Sequence, residues 1–242
     1  MKVRYLIKYT KHSSIKFISH LDLMRTIHRV IRRSGIDVEY SKGYNPHISL
    51  SIAQPLAVGV YSEGEYLDLI MNTEIDEDEI IRVLNENSPM GVKFLEAVKL
   101  YKVEGRKIMQ SMAAIDGALY TISFALKDKE NTIKSMDSLI DNGNWEILKT
   151  TKNSEKVVNI RKYVKEIKYW EKDNKLVIRA LVSCGSRENL SPQLLSQLII
   201  REVEGIDSHE FIDIKREELY VLKDEKYIPL GEYFKSAYGK NQ

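Results

Sequence analysis

Two hydrophobic periods alternate along the first hundred residues, and the order in which they do so leaves few folds open. Val3, Tyr5 and Ile7 fall at alternate positions, as one face of a strand requires. From Ser19 to Ser34 the period becomes helical, with Leu23, Met24, Ile27, Val30 and Ile31 on one stripe. Ser19 suits the N-cap and Gly35 the position after the last turn. Strand alternation returns at Ile48, Leu50 and Ile52, and again over Glu65–Met71. A helix with acids in its first turn is expected over Asp76–Asn85, then a strand over Val92–Leu100. The order is β-α-β-β-α-β, the ferredoxin-like pattern.

The second half repeats this logic without repeating the residues. A strand is expected over Ala118–Leu126 and a helix over Asn131–Ile140, with a short strand at Trp145–Leu148. Val157–Arg161 reads as a short helical turn. Tyr163–Trp170 and Lys175–Ser183 read as a hairpin across Lys172-Asp173-Asn174. Ser191-Pro192 opens a helix running to about Arg201, with Ser as N-cap and Pro at the first position. Phe211–Ile214 is the last expected strand. The fold class is therefore α+β, with two tandem ferredoxin-like units over 1–105 and 115–220, split near residue 110. A polar tail follows over 221–242.

Charge is distributed unevenly. Residues 1–60 carry ten Lys and Arg against three Asp and Glu, and residues 61–90 carry nine acids against one Arg. The net charge of +2 hides this asymmetry, which bears on partners rather than on fold. No apolar run approaches the roughly 20 residues that span a bilayer, so no membrane partner is expected. Cys184 is the only cysteine, which rules out an internal disulfide, a Cys-ligated iron–sulfur cluster and a multi-Cys zinc site. A reducing cytoplasm is the expected compartment. No cofactor and no metal site are expected.

The candidate binding site lies within residues 17–68. Opposite the apolar stripe of the first helix stand Asp22, Arg25, Arg29 and Arg32, with Arg33 beside them. Arginine offers a rigid fork of donors to phosphate or carboxylate. His20 lies in the first turn of that helix, where it can serve as a proton donor, a base or a phosphate contact. The loop Ser41-Lys42-Gly43-Tyr44-Asn45-Pro46-His47 follows Tyr40. Gly43 opens unusual backbone conformations and Pro46 holds Asn45 away from helix. Tyr40 and Tyr44 can stack on bases, while Glu65 and Asp68 on the next strand can orient the histidines. Gly185, Ser186 and Arg187, between a strand and the helix opened by Ser191, form a secondary anion site. For each group there is also a plain structural reading: a solvated face, a strand connector, an edge strand guarded by acids, or an ordinary turn.

Four blocks carry a resemblance. Ser19-His20-Leu21-Asp22-Leu23-Met24-Arg25, Tyr40-Ser41-Lys42-Gly43-Tyr44-Asn45-Pro46-His47, Pro55-Leu56-Ala57-Val58-Gly59 and Ser62-Glu63-Gly64-Glu65-Tyr66-Leu67-Asp68 resemble a bacterial family of radical-SAM-linked proteins, a domain of unknown function. A looser likeness continues at Val158-Asn159-Ile160-Arg161, Gly185-Ser186-Arg187 and Arg216-Glu217-Glu218-Leu219-Tyr220, where Asn159 and Glu188 depart from the family pattern. The resemblance implies a radical SAM protein as partner. This chain lacks the three-cysteine cluster motif, so it would accompany the radical enzyme.

These readings together predict a non-catalytic RNA-binding or substrate-presenting accessory subunit of a radical SAM enzyme, acting in RNA modification. Two alternatives stand beside it. One is a metal-independent endoribonuclease related in fold to CRISPR repeat-processing enzymes, using His20 or His47 with Tyr44 and an arginine. The other is a protein–protein adaptor.

Overall fold

The computed structural model describes residues 2–102, 105, 107–150 and 155–240. The fold is α+β, with six helices among the described residues. Two compact units divide the chain: Met1–Asp116 together with Glu218–Gln242, and Gly117–Glu217.

The first unit contains β1 (Val3–Lys11), α1 (His20–Ser34), β2 (Leu50–Ile52), β3 (Val60–Met71), α2 (Glu77–Glu86), β4 (Val92–Leu100) and α3 (Ser111–Ala114). Its strands run β4-β1-β3 with β2 on the outer side of β3, and each of these pairings is antiparallel. Successive side chains of a strand face opposite sides of the sheet. Val3, Tyr5, Ile7 and Tyr9 of β1, with Leu67, Leu69 and Met71 of β3, accordingly meet Leu23, Ile27, Val30 and Ile31 of α1 and Ile80 and Leu84 of α2 in one buried cluster. Burying the four α1 side chains is worth roughly 6–12 kcal/mol as an upper bound. Met24, expected in this core, is only half-buried and packs against its margin. The caps are as expected. Ser19 accepts the Asp22 N–H at 3.2 Å, and Gly35 ends α1 at φ 72°, a conformation glycine adopts at little cost.

The second unit contains β5 (Gly117–Ala125), α4 (Lys129–Asn142), β6 (Glu146–Thr150), β7 (Glu155–Asn159), β8 (Val164–Lys172), β9 (Lys175–Ser183) and α5 (Pro192–Glu202). With the start of β10 (Asp213–Lys223) its strands run β10-β5-β9-β8, and β6 and β7 pair antiparallel as a separate two-stranded sheet. The predicted hairpin between β8 and β9 turns at Asp173 and Asn174, both with positive φ. Val157–Arg161, expected as a helical turn, is instead mostly β7. The turn comes later, at Arg161–Tyr163. Cross-strand pairing with β6 overrides the local turn preference.

The last expected strand, Phe211–Ile214, is also corrected: β10 starts at Asp213 and runs to Lys223. The supposed polar tail then forms β11 (Lys226–Pro229) and α6 (Leu230–Tyr238), which belong to the first unit. Asp224 and Glu225 make the β10–β11 turn with positive φ; Asp tolerates that conformation, while Glu is not a usual signal for it. Leu230, Phe234 and Tyr238 lie four residues apart along α6 and are buried.

Candidate functional site

The exposed face of α1 carries Arg25, Arg29, Arg32 and Arg33. Arg25 pairs with Asp22 at 2.9 Å, and Arg33 donates to the Asn87 carbonyl at 2.8 Å. Arg29 and Arg32 form no hydrogen bond or ion pair among the described residues. Asp22 is chiefly a cap. Its carboxylate accepts the Ser19 hydroxyl at 2.7 Å, and that bond, with the Arg25 guanidinium, holds its pKa below the usual value.

The loop after Tyr40 is tied at its base. Tyr40 and Ile48 form an isolated bridge, the Ser41 N–H donates to the His47 carbonyl at 2.7 Å, and the His47 N–H donates to the Ser41 hydroxyl at 2.9 Å. Gly43 takes φ 130° at the tip. Lys42, Gly43, Tyr44, Asn45 and Pro46 are thereby all held in solvent, with the Tyr44 ring fully exposed. The base of the loop lies beside α1, where the charges of His47 and Arg32 reach His28. The loop and its base carry six of the predicted residues, Tyr40, Ser41, Gly43, Tyr44, Asn45 and His47, and its base lies near enough to α1 for His47 to act on His28.

His20 stands apart from the loop, two turns earlier on α1, or about 12 Å along the helix from His28. It is half-buried, and its Nδ1 is buried without a hydrogen-bond partner. The charges of Glu65 and Lys11, each residue 1% exposed, reach it. Lys11 Nζ donates to the carbonyls of Lys16 and Ile18 at 2.9 and 3.2 Å, anchoring the segment that leads into α1. Lys11 was not among the predicted residues, though a signal for it exists: it continues the inward alternation Val3, Tyr5, Ile7, Tyr9.

Asp68 does not join this group. Glu65 faces the α1 side of β3, and Asp68, three residues on, faces the other. Its carboxylate accepts the Ser111 N–H at 3.0 Å, the Ser111 hydroxyl at 2.7 Å and Arg4 Nε at 3.1 Å, with Arg4 Nη2 at 2.8 Å. Ser51 Oγ lies 3.4 Å away. A small cleft of about 240 Å³ opens beside Arg4, Ser51 and Asp68, but these contacts already occupy the carboxylate. Asp68 is a clamp joining β1, β3 and α3. A single site containing both Glu65 and Asp68 is excluded by the pleat of β3.

In the second unit, Gly185 takes φ 132°, and Ser186 and Arg187 are exposed. The N-terminus of α5 is already capped by Ser191, which accepts the Leu194 N–H at 3.2 Å. Glu188 brings a carboxylate beside it, accepting the Ser183 hydroxyl at 3.2 Å. Both features compete with an anion there. Among the described residues no three His, Cys, Asp or Glu side chains are grouped to hold a metal, and no helix is long and apolar enough to cross a membrane.

Burial holds the pKa of both His20 and His28 below the ordinary value of 6.5, with Arg32 and His47 adding to the effect at His28. The unfolded chain therefore takes up protons at a higher pH than the folded one. Stability from these residues is fully present above the unfolded value and is lost as pH falls below it. The melting temperature is expected to drop between about pH 7 and about pH 5, and to drop less in His20→Gln/His28→Gln. Equal losses in the two proteins would show that other groups set the acid limb.

Comparison with curated proteins finds no match. Among solved structures, a chain of a Cbf5-Nop10-Gar1 complex aligns with a TM-score of 0.47 at 11% identity, over 89% of this chain and 48% of that one. This chain thus spans about half the length of that relative. An unknown protein from Galdieria sulphuraria aligns at TM-score 0.25 and 10% identity, over 89% of this chain and 99% of its own. Residues 4–192, which take in α1, the glycine loop and β3, match the family described as an uncharacterized protein conserved in bacteria, DUF2344, and over so much of its length this protein belongs to that family.

Proposed function

We propose that this protein binds single-stranded RNA and presents it as the accessory subunit of a radical SAM enzyme. The observation that carries the proposal is the α1 face. Arg29 and Arg32 are exposed without protein partners, and the neighbouring loop holds the Tyr44 ring in solvent. Cations along a surface with an exposed aromatic ring are what sequence-tolerant single-strand binding uses. The radical SAM partner rests on the resemblance of the four blocks within residues 19–68.

Each unit is read here as ferredoxin-like. Support comes from strand order: β4-β1-β3-β2 in the first unit and β10-β5-β9-β8 in the second, each with helices between the expected strands. A sheet of this kind also serves many proteins with unrelated roles, so the function is argued from the α1 face alone.

The test is the salt dependence of RNA binding. Each phosphate contact contributes about 0.7 to the slope of log affinity against log salt for a single strand. Arg25→Ala/Arg29→Ala/Arg32→Ala should weaken binding and lower that slope by about 2, with the melting temperature little changed. Unchanged affinity in the triple variant would refute the reading. The endoribonuclease alternative has one observation of its own, the half-buried His20 reached by the charges of buried Glu65 and Lys11. RNA cleavage that persists in chelator and disappears in His20→Ala would favour it instead.

A further inference from the structure

An open cleft of about 820 Å³ runs along β7 and the turn after it, beside Gly143, in the second unit. This is the size of a small-molecule site. Among the described residues its lining includes Lys156, Val157, Asn159, Arg161, Lys162 and Tyr163, with three cations and no carboxylate. This is the Val158–Arg161 block of the sequence, which the α1 face does not use.

The cations are held ready. Arg161 lies over the Trp145 ring, 5.1 Å from its centroid, and Trp145 is 1% exposed. Arg161 Nη1 donates to the Val164 carbonyl at 3.1 Å, while its backbone N–H donates to the Asn159 side chain at 3.0 Å. Asn159 in turn donates to Asn144 at 3.1 Å. The guanidinium is thus fixed from below by a ring and at one edge by a carbonyl, and its remaining N–H groups have no partner among the described residues. Lys162 Nζ sits 4.9 Å from the Tyr163 ring centroid, without an ion pair among the described residues. Lys156 is exposed, with neither hydrogen bond nor ion pair among them.

Three like charges around one concavity repel one another and focus a positive field into it. A multiply charged anion relieves that repulsion. Arginine and lysine together suit phosphate oxygens, the first by its fork and the second as a point charge. We propose that this cleft is a phosphate-binding site, taking the phosphates of a free nucleotide or of an RNA strand. It stands independently of the α1 face.

The experiment is calorimetric titration of the full chain with ATP and, separately, with a short single-stranded RNA. Lys156→Ala/Lys162→Ala is compared with wild type and with Arg25→Ala/Arg29→Ala/Arg32→Ala. Loss of a charge-assisted bond weakens binding about tenfold or more per lysine. The double variant should lose that much affinity with an unchanged melting temperature, because both lysines are exposed. Lys156→Arg/Lys162→Arg should retain binding. Loss of ATP affinity marks a nucleotide as the source, and loss of RNA affinity alone marks a strand. ATP binding that survives the α1 variant but not the cleft variant keeps the two proposals separable. The proposal is overturned if wild type binds neither probe, or if the cleft variant binds both as wild type does.

Discussion

Asp68→Ala is expected to lower folding stability by about 3 kcal/mol, because it leaves the Arg4 guanidinium, whose side chain is 14% exposed and whose Nη2 is buried, without its counter-charge. The carboxylate is 4% exposed and bonds to Arg4 and to both Ser111 donors, which lie far apart in sequence. For a chain of this size the loss corresponds to a fall of about 6–12 °C in melting temperature. The sign of the pair energy can be checked. Arg4→Leu/Asp68→Leu removes both charges together and should be less damaging than the two single changes added, by about 0.5–3 kcal/mol. A variant that melts like wild type but fails to bind RNA would return Asp68 to the functional site.

Tyr44→Ala is expected to behave in the opposite way. The ring is fully exposed and the loop beneath it is closed by the bonds of Ser41 and His47, so removing it should leave the melting temperature unchanged. Stacking of a base on an aromatic ring is worth about 1–3 kcal/mol, so RNA affinity should fall by about 5- to 150-fold. Tyr44→Phe should keep most of the affinity, since the stacking face remains. Tyr40, 43% exposed at the foot of the loop, provides the comparison. Its bridge to Ile48 is made by the backbone and survives truncation, so Tyr40→Ala should lose stability only through the covered part of its ring, together with binding. Equal RNA affinity in wild type and Tyr44→Ala would remove the loop from the interface. Asp68 and Tyr44 are 24 positions apart in one resembling stretch of sequence, yet one is read out by melting and the other by binding.

Local order was legible in the residues themselves. The α1 stripe, its Ser19 and Gly35 caps, the Ser191-Pro192 start of α5 and the Asp173-Asn174 hairpin all depend on neighbours within a few positions, and periodicity and capping report such neighbours directly. The exposed arginines followed from the same helical wheel. What the sequence could not carry was anything that depends on distant partners. The pleat of β3 sends Glu65 to one face and Asp68 to the other, and only the pairing with β1 says which face meets α1. Lys11 and Arg4 look like surface cations until Lys16, Ile18, Asp68 and Ser111 close over them. The last residues read as polar because Lys, Asp and Glu are scattered through them, yet a β10–β11 turn with two positive-φ acidic residues sets α6 where Leu230, Phe234 and Tyr238 are buried. Local sequence thus decides most helices and strands, while β7 is decided by its pairing with β6. The burial of a charge and the face a carboxylate serves are decided by contacts between residues far apart in sequence, whose energy no local pattern records.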